Sequence, residues 1–196
     1  MPEIEWLGHA CFRIVGSRTV YFDPYRLEGR QKPADIILCS HNHFDHFSVE
    51  DIRKIATPET HVFLTPDCMG NVPGVRHEMK PGDRREVLGV SIRAVPAYNI
   101  GKKFHPKENK WVGYVVTMDG QTIYHTGDSD FIPEMEGLEA DVALLPVSGT
   151  YVMTAEEAAK AFKAMKAKRA IPMHYGAIVG GKEDADRFMQ LIGERR

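Results

Sequence analysis

Residues 41–46 read His41-Asn42-His43-Phe44-Asp45-His46 and follow directly on the apolar run Ile36-Ile37-Leu38-Cys39. No other feature restricts the possible folds as much. Imidazole and carboxylate are common ligands of divalent transition metals. Four such groups in six residues, at the end of a buried strand, can converge on one point or two. In an extended turn His41 and His43 share one face, while Asp45 and His46 can turn to serve a second ion. One isolated histidine would read as a solvated turn; this density and placement read as a metal centre.

Around the cluster, short apolar β-branched runs separated by turn residues predict strands at 4–7, 12–15, 19–22, 35–39 and 60–64. Ser48 begins a capping-box-like start, with Ile52, Ile55 and Ala56 at helical spacing behind it, so the first helix follows the cluster. The second half repeats this order. Strands are expected at 86–95, 111–118, 121–125 and 142–146, with Asp119-Gly120 as a hairpin turn. Thr154 and Glu157 form a second capping box ahead of an apolar stripe of Ala158, Phe162 and Met165. A strand at 169–173 and a helix at 183–192, with Phe188, Leu191 and Ile192 inward, close the chain. Strands before a helix in each half suggest two similar α/β halves. No linker divides them, so residues 1–196 are expected to form one domain. Residues 97–110 have no clear period, and a loop of that length is more often functional than idle.

Composition removes several function classes. The net charge is −2, so no bulk positive field would gather nucleic acid or an anionic membrane. No apolar run approaches the ~20 residues that span a bilayer. The three cysteines, Cys11, Cys39 and Cys68, are spread singly; an odd, scattered number fits a reducing compartment, and the cytoplasm is the expected location.

The cluster matches the HxHxDH motif and resembles the metallo-β-lactamase superfamily. Trp6-Leu7-Gly8-His9-Ala10 and Tyr21-Phe22-Asp23-Pro24-Tyr25 look like the opening strands of its branch of small hydrolases, which includes ascorbate-phosphate lactonases and N-acylethanolamine phospholipase D enzymes. His125-Thr126-Gly127-Asp128-Ser129 resembles the strand-end motif with the bridging Asp, and Pro172-Met173-His174-Tyr175-Gly176 the last motif. The resemblance implies an α/β (α+β) fold, a four-layer αβ/βα sandwich with metals at the sheet edges. It also implies two divalent ions, zinc first, with manganese or iron as alternatives. His41 and His43 would bind the first, Asp45, His46 and His174 the second, and Asp128 both. The family's third histidine for the first ion often follows Pro-Ala-x, but here Pro96-Ala97-Tyr98 leads to Asn99. His105 in the long loop is the favoured replacement, because imidazole suits such metals better than an amide. Asn99 or a water are the alternatives.

His9 could line the pocket or be an ordinary buried histidine; Asp23 could orient a ligand histidine or be a turn residue before Pro24. His125, His61 and His77 read as structural, and Cys39 as an apolar filler. Two ions sharing Asp128 and a water would bring that water's pKa near neutrality and supply a hydroxide nucleophile. Asp45 would orient the water, and His105, Tyr98 or Tyr175 could donate to the leaving group. The expected activity is cleavage of an ester, lactone, amide or phosphodiester of a small molecule, anionic if Lys102, Lys103 and Lys107 attract it. Two rivals are a non-catalytic metal-binding or scaffold protein with a degraded first site, and a nuclease or phosphodiesterase acting on nucleic acid. A flavodiiron-type redox enzyme fits poorly, since that group carries Glu in the motif. By analogy with small relatives, a homo-oligomer is open.

Overall fold

In the computed structural model, which describes residues 1–193, the first half forms β1 (Glu3–Gly8), β2 (Cys11–Val15), β3 (Thr19–Phe22), β4 (Ile36–Leu38), α1 (Val49–Ile55), β5 (His61–Leu64) and β6 (Val75–Glu78). The second half forms β7 (Arg84–Val87), β8 (Val90–Pro96), β9 (Val112–Met118), β10 (Gln121–His125), β11 (Glu139–Pro146), α2 (Ala155–Ala164), β12 (Lys166–Met173) and α3 (Lys182–Ile192). Residues 194–196, the end of the expected 1–196 unit, lie outside the described part.

β4 reads as an unbroken apolar run because both of its faces are covered. Ile36 and Leu38 point into a core between the two sheets, and Ile37 points the other way, toward α1. The first sheet has the order β1-β2-β3-β4-β5-β6, antiparallel through β3 and parallel from β3 onward. The second has the order β12-β11-β10-β9-β8-β7, antiparallel from β7 to β10 and parallel from β10 to β12. α1 covers the outer face of the first sheet, and α2 and α3 cover that of the second. The layers are therefore helix, sheet, sheet, helix, the expected sandwich. Among the described residues no helix is long and apolar enough to cross a membrane.

The capping signals are realised. The Ser48 side chain accepts from the Asp51 N–H at 3.2 Å, and Thr154 and Glu157 make a reciprocal box at 3.2 and 2.8 Å. Phe188 is buried on α3, while Leu191 and Ile192 are only partly covered. One expectation needs correction, and one strand has no counterpart among those expected. Residues 86–95 are not one strand: Leu88 (φ 54°) and Gly89 (φ 78°) turn the chain between β7 and β8. Leucine is not a turn former, so the apolar pattern ran through the turn unmarked. β6 was not anticipated either, because Val75-Arg76-His77-Glu78 is mostly exposed at the sheet edge and lacks alternation.

In each sheet every second strand direction brings a carboxyl end to the same edge. β1, β3 and β4 run one way in the first sheet, and β8, β10 and β12 share a direction in the second. The loops that leave these ends carry the chemistry, as expected for strand carboxyl ends in α/β sheets. Ser40 ties the two edges together by accepting from the Val112 N–H at 3.1 Å.

Candidate metal centre

Six loops meet at that edge. His41, His43, Asp45 and His46 leave β4 in a tight turn, in which the N–H groups of His46 and Phe47 both donate to the His43 carbonyl at 3.0 and 2.9 Å. His9 follows β1, Asp23 follows β3, His105 lies between β8 and β9, Asp128 follows β10 and His174 follows β12. His9 and His174 both take positive φ, 52° and 60°, and the His174 N–H donates to the His9 carbonyl at 2.8 Å. Histidine tolerates this region better than most residues, and the two turns are locked to each other.

Asp128 lies at the centre. Its Oδ2 is 3.0 Å from His174 Nε2, 3.1 Å from His105 Nε2 and 4.0 Å from His41 Nε2, and its Oδ1 is 3.3 Å from His46 Nε2. On one side His41, His43 and His105 offer ring nitrogens within 4.8 Å of one another; on the other, ring nitrogens of His9, His46 and His174 and a carboxylate oxygen of Asp45 lie within the same distance. The structure thus brings together all seven residues expected as ligands, and adds His9.

The opposite ring nitrogens fix how these histidines present themselves. Ser40 has one hydroxyl proton and gives it to Asp23 Oδ2 at 2.7 Å, so at 2.9 Å it accepts from His41 Nδ1–H. His46 Nδ1–H donates to Asp23 Oδ2 at 2.7 Å. His105 Nδ1–H donates to Asn99 Oδ1 at 3.1 Å, and the His105 backbone N–H donates to the same oxygen at 3.0 Å. His174 Nδ1 pairs with Ser148 Oγ at 3.1 Å. With Nδ1–H committed, Nε2 is the atom each ring has left for a cation: in His46 and His105 it lies against Asp128, and in His41 it accepts from His43 Nδ1–H at 3.0 Å.

That arrangement fits a cation. His46 Nε2, His105 Nε2 and Asp128 Oδ1 are buried without a hydrogen-bond partner, although they crowd one another. Lone pairs at such distances repel unless positive charge lies among them. The titration tendencies show the negative field that a cation, whether a proton or a metal ion, would meet there. Burial opposes charging of His46, yet Asp128 and Asp23 on either side outweigh it and hold its pKa well above the ordinary value. Burial likewise works against ionisation of Asp128, but His174 and His46 prevail and hold it well below. Burial, with His46 beside it, keeps His41 well below. Imidazole and carboxylate oxygen suit zinc and its neighbours in the first transition row.

Several roles are now assigned by position. Asn99 is anchored by His105 and by its own Nδ2, which donates to the Tyr151 carbonyl at 3.0 Å, so it supports His105 rather than standing in for it. Asp23 also accepts from the Ser40 N–H at 2.7 Å and acts as the orienting carboxylate. His9 Nε2 donates to Asp45 Oδ2 at 2.8 Å, and this bond outweighs the effect of burial to hold Asp45 below its ordinary value. His125 is structural: it stacks on Phe22, accepts from the Gly127 N–H at 3.1 Å and contacts the Ala10 carbonyl at 2.8 Å. His61 and His77, on adjacent strands, pair at 2.8 Å. Cys39 is buried in the α1-side core, and burial pushes the Cys11 and Cys68 thiols up to about 12.

Three expected donors do not sit as donors. His105 has its Nδ1–H turned to Asn99, so its Nε2 has no proton to give as a neutral ring. The Tyr175 ring stacks on Trp6 at 4.7 Å, and Tyr98 gives its hydroxyl proton to Glu134 at 2.8 Å; neither lines the cleft above Asp128. The loop lysines are also engaged elsewhere. Lys102 pairs with Asp130 at 2.5 Å, and Lys107 with Glu134 at 3.2 Å, so two of the three cations expected to draw an anion are neutralised. Trp111, read in the sequence only as the start of a strand, packs on His41, His43 and His105 at 4.7, 4.9 and 5.5 Å.

Comparison with known proteins places this geometry. Residues 3–174 match the model of the Beta-lactamase superfamily domain. A protein of Thermococcus onnurineus named a metal-dependent hydrolase is 34% identical over 211 residues, covering 100% of this chain and 94% of its own. One of the same name from Thermoplasma acidophilum is 32% identical over 206 residues, covering 97% and 91%. A crystal structure from Parabacteroides distasonis, whose name proposes a metal-dependent hydrolase, superposes with a TM-score of 0.86 at 29% identity, covering 97% of this chain and 88% of that one.

Proposed function

This chain belongs to the metallo-β-lactamase superfamily as a metal-dependent hydrolase, and from that premise we propose that it holds two divalent ions, zinc first, and cleaves an ester, lactone or phosphodiester of a small molecule. The observation that supports this reading is the placement of Asp128 between two sets of nitrogen and oxygen donors. His41, His43 and His105 would hold one ion, Asp45, His46 and His174 the other, and Asp128 both. Ions bound there would acidify a water and polarise the substrate's carbonyl or phosphoryl oxygen.

The chain's own residues do the rest. Asn99, Asp23, Ser40 and Ser148 occupy Nδ1 of His105, His46, His41 and His174, which leaves Nε2 of these four rings for the centre. His9 fixes the Asp45 carboxylate, which can take a proton from the attacking water. Proton delivery to the leaving group falls to solvent at the open cleft, because Tyr98 and Tyr175 are turned away. The three buried cysteines fit work in the reducing cytoplasm.

Elemental mass spectrometry of protein never exposed to chelator tests the reading. About two zinc, manganese or iron ions per chain are expected, falling to about one in His105→Ala. One metal or none, unchanged by the substitution, would overturn the dinuclear reading and favour a binding protein with a vestigial site.

A further inference from the structure

The cleft above Asp128 has a cavity of about 230 Å³ with a polar floor and apolar walls. Phe44, Phe104, Tyr151 and Ile178 form the walls, each supplied by a different loop. Three of them are large hydrophobic side chains left in solvent, Phe44 at 68%, Phe104 at 46% and Ile178 at 39% exposure. Exposed apolar residues scattered singly need no explanation, but a set ringing a buried polar centre marks a binding surface. The ring is also ordered: Phe104 meets Tyr151 edge to face at 4.7 Å, and Phe44 meets Tyr25 at 5.9 Å. Among the described residues that line this cleft there is no Lys or Arg. The nearby Lys102 is held by Asp130 and by the Val152 carbonyl at 2.8 Å.

Resting on the hydrolase reading above, we propose that the substrate is a small neutral carboxylic ester whose apolar acyl group lies against Phe44, Phe104 and Ile178, with the scissile carbonyl on the Asp128 floor. The cavity is smaller than the ~300–1,000 Å³ of most ligand pockets, so the acyl group is short. Charge at the reacting centre would meet the ions at the floor, but an anionic group carried elsewhere on the substrate would find no countercharge on the walls. In the reaction, the water oxygen bonds to the acyl carbon and the acyl C–O bond breaks; one of the water's protons ends on the alcohol oxygen and the other is released to solvent, leaving carboxylate and alcohol.

The test uses zinc-loaded protein with p-nitrophenyl acetate, p-nitrophenyl butyrate and bis(p-nitrophenyl) phosphate, alongside calorimetric titration with butyrate and with dimethyl phosphate. Butyrate ester is expected to exceed acetate ester by about tenfold in kcat/KM, the effect of burying two further methylenes. Phe44→Ala and Phe104→Ala should each erase most of that preference and weaken butyrate binding, whereas Leu88→Ala, an exposed apolar residue on the β7–β8 turn, should keep both. Equal rates on the two esters, or a preference for the phosphodiester and for dimethyl phosphate that the substitutions leave intact, would overturn the inference while the hydrolase reading stood. A protein that takes up no metal and cleaves none of the three substrates would overturn that reading, and this inference with it.

Discussion

Asn99 shows how one side chain decides the chemistry of another. Its Oδ1 accepts from both the backbone N–H and the ring Nδ1–H of His105, and the Asn99 N–H donates to the His105 carbonyl at 2.7 Å. A position that reads as a lost ligand thus supports the imidazole six residues later, which would take the ligand's place. Asn99→Ala is expected to leave the fold intact and weaken metal binding by about 10–100-fold at one of two sites, as removal of such a support typically does. Titration against a competing chelator measures it; unchanged affinity at both sites would remove Asn99 from this role. The motif residues His41, His43, Asp45, His46, Asp128 and His174 were legible in the sequence because ligand chemistry is written in residue type and spacing. His9 was only half legible. Its signal was a glycine ahead of a histidine at a strand end, a setting equally suited to a buried structural ring, and only the 2.8 Å bond to Asp45 separates the two.

At the scale of elements, the short helix α1 is fastened through Asp51 to the segment between β3 and β4. That carboxylate accepts from the Arg26 and Leu27 N–H groups at 2.9 and 3.0 Å and pairs with Lys54 at 2.8 Å. Burial raises its pKa, but Lys54 and the hydrogen bonds outweigh this and hold the folded value below that of an ordinary aspartate. A depressed folded pKa means that the stabilisation is complete above the unfolded value and is lost as pH falls through the folded one. Thermal unfolding followed from pH 6 to pH 3 should therefore show a decline below about pH 4 that is shallower in Asp51→Asn. Identical pH slopes would show that the clasp carries no such linkage. Most elements were legible, since caps and alternation are local signals. The β7–β8 turn at Leu88-Gly89 and the edge strand β6 were not. A turn made by leucine and a strand paired on one side leave no local pattern, and their conformation is imposed by neighbouring strands.

Across the whole molecule the centre joins the two halves. His41, His43, Asp45 and His46 come from the first sheet, and His105, Asp128 and His174 from the second, so bound ions would tie the two sheets at one edge. Metal at about a thousandfold over its Kd adds roughly 4 kcal/mol, which for a chain of this size is on the order of 10 °C in Tm. Calorimetry before and after chelation should show that drop, with a cooperative transition retained because the three apolar cores do not include the ligands. An unchanged Tm would mean that no ion links the halves in solution. The sequence by itself determined the donor set, the strand before it and the helix-capping signals, because these depend on residues within a few positions of one another. Tertiary structure decided what depends on distant residues meeting: that His105 joins His41 and His43, that His9 holds Asp45, that Tyr98 and Tyr175 turn away, and that four loops ring the cleft with apolar side chains. Those contacts span 36 residues between His9 and Asp45 alone, and no local pattern encodes a meeting at that separation.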